Sequence, residues 1–256
     1  MTNPAASPAD DLRPEANGVG RADGSGVMFD HIAPRYDLMN RLMSVGMDRR
    51  WRRRQVERLA LTGSDEVLDV ATGTADVAIA VASRYRSARI IGVDPSEGML
   101  AIGRQKVREA GYDERIHLVA GDAQSLPFAD ARFAATCMSF GIRNVPDRPQ
   151  ALREMARVTC PGGIVAILEL GEPDAGAIAA AARFYVHHVI PRLGGLLAGT
   201  REYRYLQQSI AAFPRAAVFA QTMTDAGLRM VDVERFSFGA ANLFIAQKRS
   251  GSAESH

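Results

Sequence analysis

The 256-residue sequence predicts an α/β fold, a doubly wound and mostly parallel sheet of seven strands with an antiparallel C-terminal hairpin. Three observations predict it. Five short apolar runs recur along the chain, as strands buried on both faces require. Segments of helical length and spacing separate most of them, and repeated strand and helix alternation implies right-handed βαβ units. Near the C-terminus two further runs are joined by a Gly-containing turn, the pattern of a hairpin.

Taken in order, residues 1–26 hold Pro4, Pro8 and Pro14 and no aromatic side chain, so they cannot offset the entropy of ordering and read as a disordered tail. They lack the apolar core of a signal peptide, and Asp10, Asp11, Glu15 and Asp23 oppose a mitochondrial transit sequence. A single domain is expected over 27–248, followed by a second polar tail, 249–256. Within the domain Phe29 to Leu61 reads as helical. The five strand-like runs are Glu66 to Ala71, Arg89 to Asp94, Ile116 to Gly121, Phe133 to Ser139 and Gly163 to Leu170. Helices are expected over Val77 to Tyr85, Glu97 to Ala110 and Arg148 to Val158, with Ser96 as an N-cap and Gly111 as a stop. Leu228 to Phe236 and Asn242 to Gln247 form the hairpin. Ala175 to Gly227 is too long for a simple crossover and, with Phe29 to Leu61, is expected to add helices on the substrate side. Its most apolar part, Ala175 to Gly199, is broken by Arg183, His187, His188, Pro191 and Arg192, which excludes a spanning helix. The two histidines are neighbours, so on a helix they face different ways, and neither is taken as a catalytic base.

With 47% hydrophobic and 23% charged residues and a net charge of +2, the composition excludes a disordered polyelectrolyte or a nucleic-acid coat. Cys137 and Cys160 belong to no CxxC pair, so no metal site or disulfide framework is expected, and a reducing, cytoplasmic compartment follows. All but two of the 31 basic residues are arginine, so a single arginine carries little weight.

In an open parallel sheet ligands bind beyond the carboxyl ends of the strands. After the first strand comes a small-residue loop, Thr72-Gly73-Thr74-Ala75-Asp76, that leads into a helix. After the second comes Asp94, placed to accept hydrogen bonds from both hydroxyls of a ribose. A dinucleotide fingerprint needs several glycines for close approach to a pyrophosphate, and Gly73 alone remains of it. S-adenosylmethionine, a nucleoside cofactor without phosphate, fits the loop better. The third run ends in Gly121-Asp122-Ala123, where a side chain and an amide can meet an adenine edge, and the fourth in Ser139-Phe140-Gly141. The candidate cofactor-binding residues are therefore Gly73, Thr74, Asp94, Asp122, Ala123 and Ser139.

Val67 to Asp76 (VLDVATGTAD) resembles motif I of the class I S-adenosylmethionine-dependent methyltransferases, and Gly92-Val93-Asp94 and Gly121-Asp122-Ala123 resemble their next two motifs. Tyr36 to Ser44 (YDLMNRLMS) followed by Trp51, Ser139 to Val145 (SFGIRNV), and Arg157-Val158 with Pro161-Gly162-Gly163 are similar to the ubiquinone/menaquinone biosynthesis C-methyltransferases. Tyr203-Arg204-Tyr205-Leu206, Ser209-Ile210 and Phe213-Pro214 extend the resemblance, which runs from Met28 to Lys248. It implies a Rossmann-like fold and methylation of a ring carbon of a prenylated quinol. Demethylmenaquinol is the first expectation and 2-polyprenyl-6-methoxy-benzoquinol, a ubiquinone precursor, the second. Another aromatic or polyketide substrate and a cofactor-binding partner without turnover are the alternatives. The sequence departs from the family pattern at Asp48, where many relatives carry His, at Ala75, where many carry Gly, and at Cys160 and Gly171. Ala75 is expected to be harmless at negative φ, and Asp48 bears on substrate specificity.

Carbon methylation is an in-line displacement that needs positioning and an activated nucleophile but no metal. A group that favours the phenolate of the quinol raises the rate. Arg143 is the expected catalytic residue, stabilising the phenolate or orienting a water, since arginine is a poor literal base. Asn144 is expected to hold that water or the quinol oxygen, as the resemblance also implies. Tyr36, Asn40 and Tyr203 are the candidates for bordering the ring. The arginines from Arg49 to Arg58 read either as a solvated helix face or as a peripheral contact with anionic membrane. A homodimer is a further candidate assembly, and no nucleic-acid partner is expected.

Overall fold

Seven strands form one sheet in the order β3-β2-β1-β4-β5-β7-β6. The computed structural model describes Ala33, Arg41, Ser44 and residues 46–171 and 200–250, without the side chains of 200–204 and 206. The expected N-terminal tail, Tyr36, Asn40, His187 and His188 lie outside the described residues, as does the chain from 251 on. The elements are α1 (Asp48–Arg58), β1 (Glu66–Val70), α2 (Asp76–Arg84), β2 (Arg89–Asp94), α3 (Glu97–Glu109), β3 (Ile116–Ala120), β4 (Phe133–Ser139), a 3-10 turn (Ile142–Asn144), α4 (Arg148–Val158), β5 (Thr159–Leu170), α5 (Thr200–Ala211), α6 (Ala216–Asp225), β6 (Leu228–Phe236) and β7 (Ala241–Lys248).

β1 to β5 run parallel, while β7 lies antiparallel to both β5 and β6. Alternation along each strand divides the apolar side chains between two cores. Val67, Ala135, Cys137, Ala166 and Leu168 pack with α1, α2 and α3 on one face. Leu68, Val70, Met138, Val165 and Ile167 pack with α4 and α6 on the other. The chain winds outward from β1 to β3 and then returns to β4 beside β1, so the topological switch falls between β1 and β4. That is where a doubly wound sheet leaves a crevice for a ligand.

Local chemistry sets the boundaries. Ser96 Oγ accepts from Met99 N at 3.1 Å and caps α3, and Gly111 at φ 71 follows its end. Asp147 caps α4 by accepting from Gln150 N at 2.9 Å, with Pro149 in the first turn. β5 begins at Thr159, directly after α4, four residues before the apolar run that marks it in the sequence. Thr159 pairs with Phe133 before the register shifts. Pro161 and Gly162, at φ 79, obscure that start in the sequence. Gly163 is required there, because a Cβ would lie 2.6 Å from Ala134 O.

Candidate functional site

The loop after β1 is held from below. Asp69 is 1% exposed. It accepts from Thr72 Oγ1 at 2.6 Å and from Cys137 Sγ at 3.6 Å. Burial pushes its carboxyl up to about 6, against the lowering effect of these bonds and of Arg52. Burial, together with this carboxylate, pushes the Cys137 thiol up as well. Above Asp69 the loop carries positive φ at Ala71 (54), Gly73 (55) and Ala75 (65). Ala75 stands in the left-handed region, so the condition under which alanine there would be harmless, a negative φ, is not met. Its methyl is buried, and it would meet a Cβ on Gly103 at 3.3 Å, so glycine on α3 makes room for alanine in the loop.

Asp94, at the tip of β2, turns both carboxylate oxygens to backbone amides, accepting from Gly73 N at 2.8 Å and from Ser96 N at 2.9 Å. These bonds fix the carboxylate between the first loop and the start of α3. From the other side of the switch point Phe140, at φ 58, and Gly141 follow β4. A Cβ on Gly141 would lie 2.6 Å from Ala71 Cβ, so glycine is needed for the two loops to approach.

Between them opens a cleft. Gly73, Asp94, Asp122, Ala123, Ser139 and Asn144, all singled out in the sequence, line it together with Met99, Phe140 and Val145. Asp122 Oδ1 accepts from Gln124 N at 2.9 Å, which shapes the turn after β3. Thr74 is buried and not among the described lining residues; its Oγ1 accepts from Lys106 Nζ at 3.1 Å. Ser139 donates its hydroxyl to Gln55 Oε1. Tyr203 lies on α5, and its side chain is outside the described residues.

Arg143 sits one residue behind the lining, in a buried ion pair. Its Nη1 donates to Glu169 Oε1 at 2.6 Å and to Phe140 O at 2.7 Å. The side chains of Arg143 and Glu169 are 4% and 0% exposed. Glu169 also accepts from the Arg143 amide and from Leu170 N. Asn144, next in the same 3-10 turn, faces the cleft, and its Oδ1 accepts from Tyr205 OH at 3.2 Å. The turn thus places arginine inward against β5 and asparagine outward beside α5.

Several residues that support the candidate site escaped the sequence reading. Glu169 left a signal, being the only charge in the apolar run from Gly163 to Leu170. Tyr205 stood in the Tyr203-Arg204-Tyr205-Leu206 block, where Tyr203 was preferred. Gln55 left none: from α1 it donates to Met138 O and Ala166 O, both at 3.0 Å, clipping the helix onto β4 and β5. A chain of charges also tethers α1 to the cofactor loop. Asp48, 2% exposed, accepts from Arg52 Nη1 at 2.7 Å. Arg52 reaches Asp76 at 3.2 Å and lies over the Phe140 ring, 5.2 Å from its centroid. Asp76 in turn binds Lys106. The acid at 48 therefore has an ionic partner of its own inside the fold.

The donor set matches S-adenosylmethionine. Two carboxylates, Asp94 and Asp122, and no Lys or Arg are among the described lining residues, which suits a ribose diol and a cationic sulfonium rather than an anionic phosphate. Comparison with known proteins agrees. Residues 21–248 match the model of the ubiE/COQ5 methyltransferase family. The ubiquinone/menaquinone biosynthesis C-methyltransferase UbiE of Syntrophotalea carbinolica is 44% identical over 217 residues, 85% of this chain and 91% of that protein. The demethylmenaquinone methyltransferase of Bacteroides fragilis is 40% identical over 242 residues, 94% of this chain and 99% of its own. Among solved structures, a putative S-adenosyl-L-methionine-dependent methyltransferase of Methanococcus maripaludis superposes with a TM-score of 0.65 at 17% identity, covering 91% of this chain and all of that one. That likeness concerns the fold, whereas the two relatives match over nearly their whole length. The chain belongs to the ubiE/COQ5 methyltransferase family and is an S-adenosylmethionine-dependent C-methyltransferase.

Proposed function

We propose that the chain methylates a ring carbon of a prenylated quinol, with demethylmenaquinol as the substrate and menaquinol as the product. The near full-length match to a demethylmenaquinone methyltransferase supports that head group. The observation that carries the chemistry is Asn144, held by Tyr205 and facing the cleft at the carboxyl end of β4.

S-adenosylmethionine supplies the electrophilic methyl when bound. Gly73, Asp94, Asp122, Ala123 and Ser139 bind and orient it, Asp94 through the ribose hydroxyls; Thr74 acts from behind the loop, through Lys106. Asn144 accepts from Tyr205 through its carbonyl, which leaves its amide to donate to the quinol oxygen or to a water beside it. That donor favours the phenolate, and electron density moves onto the ortho carbon that takes the methyl. The quinol proton passes to water, the methylated ring carbon then loses its own proton to water, the oxygen is reprotonated and aromaticity returns, with S-adenosylhomocysteine and one proton released for each methyl transferred. Arg143 is a positioning residue in this scheme. Locked to Glu169 and Phe140 O, it fixes the turn that aims Asn144 and adds positive charge near the phenolate, moderated by its partner. Tyr36, Asn40 and Tyr203 are proposed to border the ring.

The purified protein, given reduced demethylmenaquinone and cofactor with a deuterated methyl, is expected to place one labelled methyl on a ring carbon. Label on oxygen would overturn the chemistry, and tight cofactor binding without turnover of any quinol would favour a non-catalytic partner. The relatives named for ubiquinone as well as menaquinone biosynthesis support a second reading, in which a 2-polyprenyl-6-methoxy-benzoquinol is also accepted. The same assay with that quinol separates the two.

A further inference from the structure

The arginines of α1 separate into two sets. Arg52 is buried between Asp48 and Asp76. Arg54 and Arg58 reach across to Glu234 and Asp232 of β6, and Arg54 also to Glu57. Arg49, Arg50 and Arg53 are exposed, and no carboxylate lies within ion-pair distance of them among the described residues. Basic grooves flank them on either side of the helix. One is lined by Arg41, Arg49, Arg52, Arg53 and Arg84 against Glu57 and Asp76, the other by Arg50, Arg53, Arg54 and Arg235 against Glu57.

Beside this row stands an apolar tip. The turn between β6 and β7 holds Ser237 (φ 47), Phe238 (φ 59) and Gly239 (φ 91) in the left-handed region, which is costly for the first two. It presents Phe238 at 61% exposure. Ser237 Oγ donates to the Met47 sulphur at 3.6 Å, and Met47, just before α1, is itself 39% exposed. Strained backbone that displays rather than hides a phenyl ring points to a partner for the ring.

The position is informative too. Ala241 pairs with both Phe236 and Leu170, so the turn lies at the carboxyl end of β5, the edge on which the cofactor cleft opens. Trp51 bridges the two places, its ring 6.4 Å from Phe140 of the cleft and 6.3 Å from Phe236.

We propose that Arg49, Arg50 and Arg53, with the Met47 and Phe238 tip, form a docking surface for an anionic lipid bilayer. Cations beside a protruding aromatic and a thioether match its two layers, phosphate headgroups over acyl chains. A single-stranded nucleic acid would stack a base on Phe238 but leave the Met47 thioether unmatched, and the vesicle and RNA arms of the test separate the two. That docking delivers a prenylated quinol to the cleft is a consequence that rests on the proposed function; the surface itself does not.

The test is flotation of the full chain with vesicles of phosphatidylcholine alone or with added phosphatidylglycerol, at low and high salt. The wild type is expected to float with the anionic vesicles at low salt and to be released at high salt. Arg49→Glu, Arg50→Glu and Arg53→Glu together should weaken binding by at least about a hundredfold, while replacement of all three by Lys retains it. Phe238→Asp should weaken it about tenfold. Turnover of a short-chain soluble quinol should stay unchanged in each variant and serve as the folding control. Failure of the wild type to float with anionic vesicles, flotation of the Glu variant equal to wild type, or capture of RNA in place of vesicles would overturn the proposal. Salt-sensitive flotation by a protein that methylates no quinol would leave the surface standing and remove the function.

Discussion

Arg143 and Asn144 are chain neighbours with opposite surroundings, and their substitutions should differ in kind. Asn144→Ala removes a donor at the reacting oxygen and should lower kcat by about a hundredfold with cofactor affinity and stability retained. Arg143→Ala leaves Glu169 fully buried without its cation, which costs about 3–5 kcal/mol in denaturant unfolding. Arg143→Met combined with Glu169→Leu should recover most of that stability and not the activity, which separates positioning from folding. Asp69 makes a prediction about pH. Between 3.8, its ordinary value, and about 6 the folded chain keeps a proton that the unfolded chain has lost. Asp69 therefore makes stability fall as pH rises through that window. Asp69→Asn, which can still accept from Thr72, should melt higher than the wild type at pH 7 and no higher below the window. Equal pH profiles of the two would show that Asp69 ionises freely.

At the scale of elements, α1 is the piece on which the site depends most and which the sequence disclosed least. Phe29 to Leu61 reads as one helical stretch, yet what places Asp48–Arg58 is Gln55 on two strand carbonyls and Arg52 over Phe140. These are long-range polar contacts, which leave no periodic trace. Gln55→Leu strips partners from Met138 O, Ala166 O and Ser139, and should cost about 1–3 kcal/mol. Because the helix also braces Phe140, cofactor affinity measured by calorimetry should fall with it, whereas a Gln55 with no part in the site would leave affinity intact. The strands and α4 were legible because burial on two faces and capping both write local patterns. The start of β5 was not, because its first residues pair across a register shift that only the folded sheet displays.

For the whole molecule, the winding order creates the switch point and the small-residue loops fill it, so which residues would line the cleft could be read from strand ends alone. Asp94 and Gly73 were found in that way, and the structure joins them by a hydrogen bond. The substrate half was legible only through its resemblance to a family, since Asn144 and Tyr205 meet from elements 61 positions apart. Glu169 shows the limit of reading by motif: the block that contains Arg143 says nothing of the carboxylate that holds it. The measurement that tests the central claim most directly is the quinone profile of cells lacking this protein. Loss of menaquinone with accumulation of demethylmenaquinone, reversed by the wild-type chain and not by Asn144→Ala, is the result predicted. An unchanged profile would contradict it.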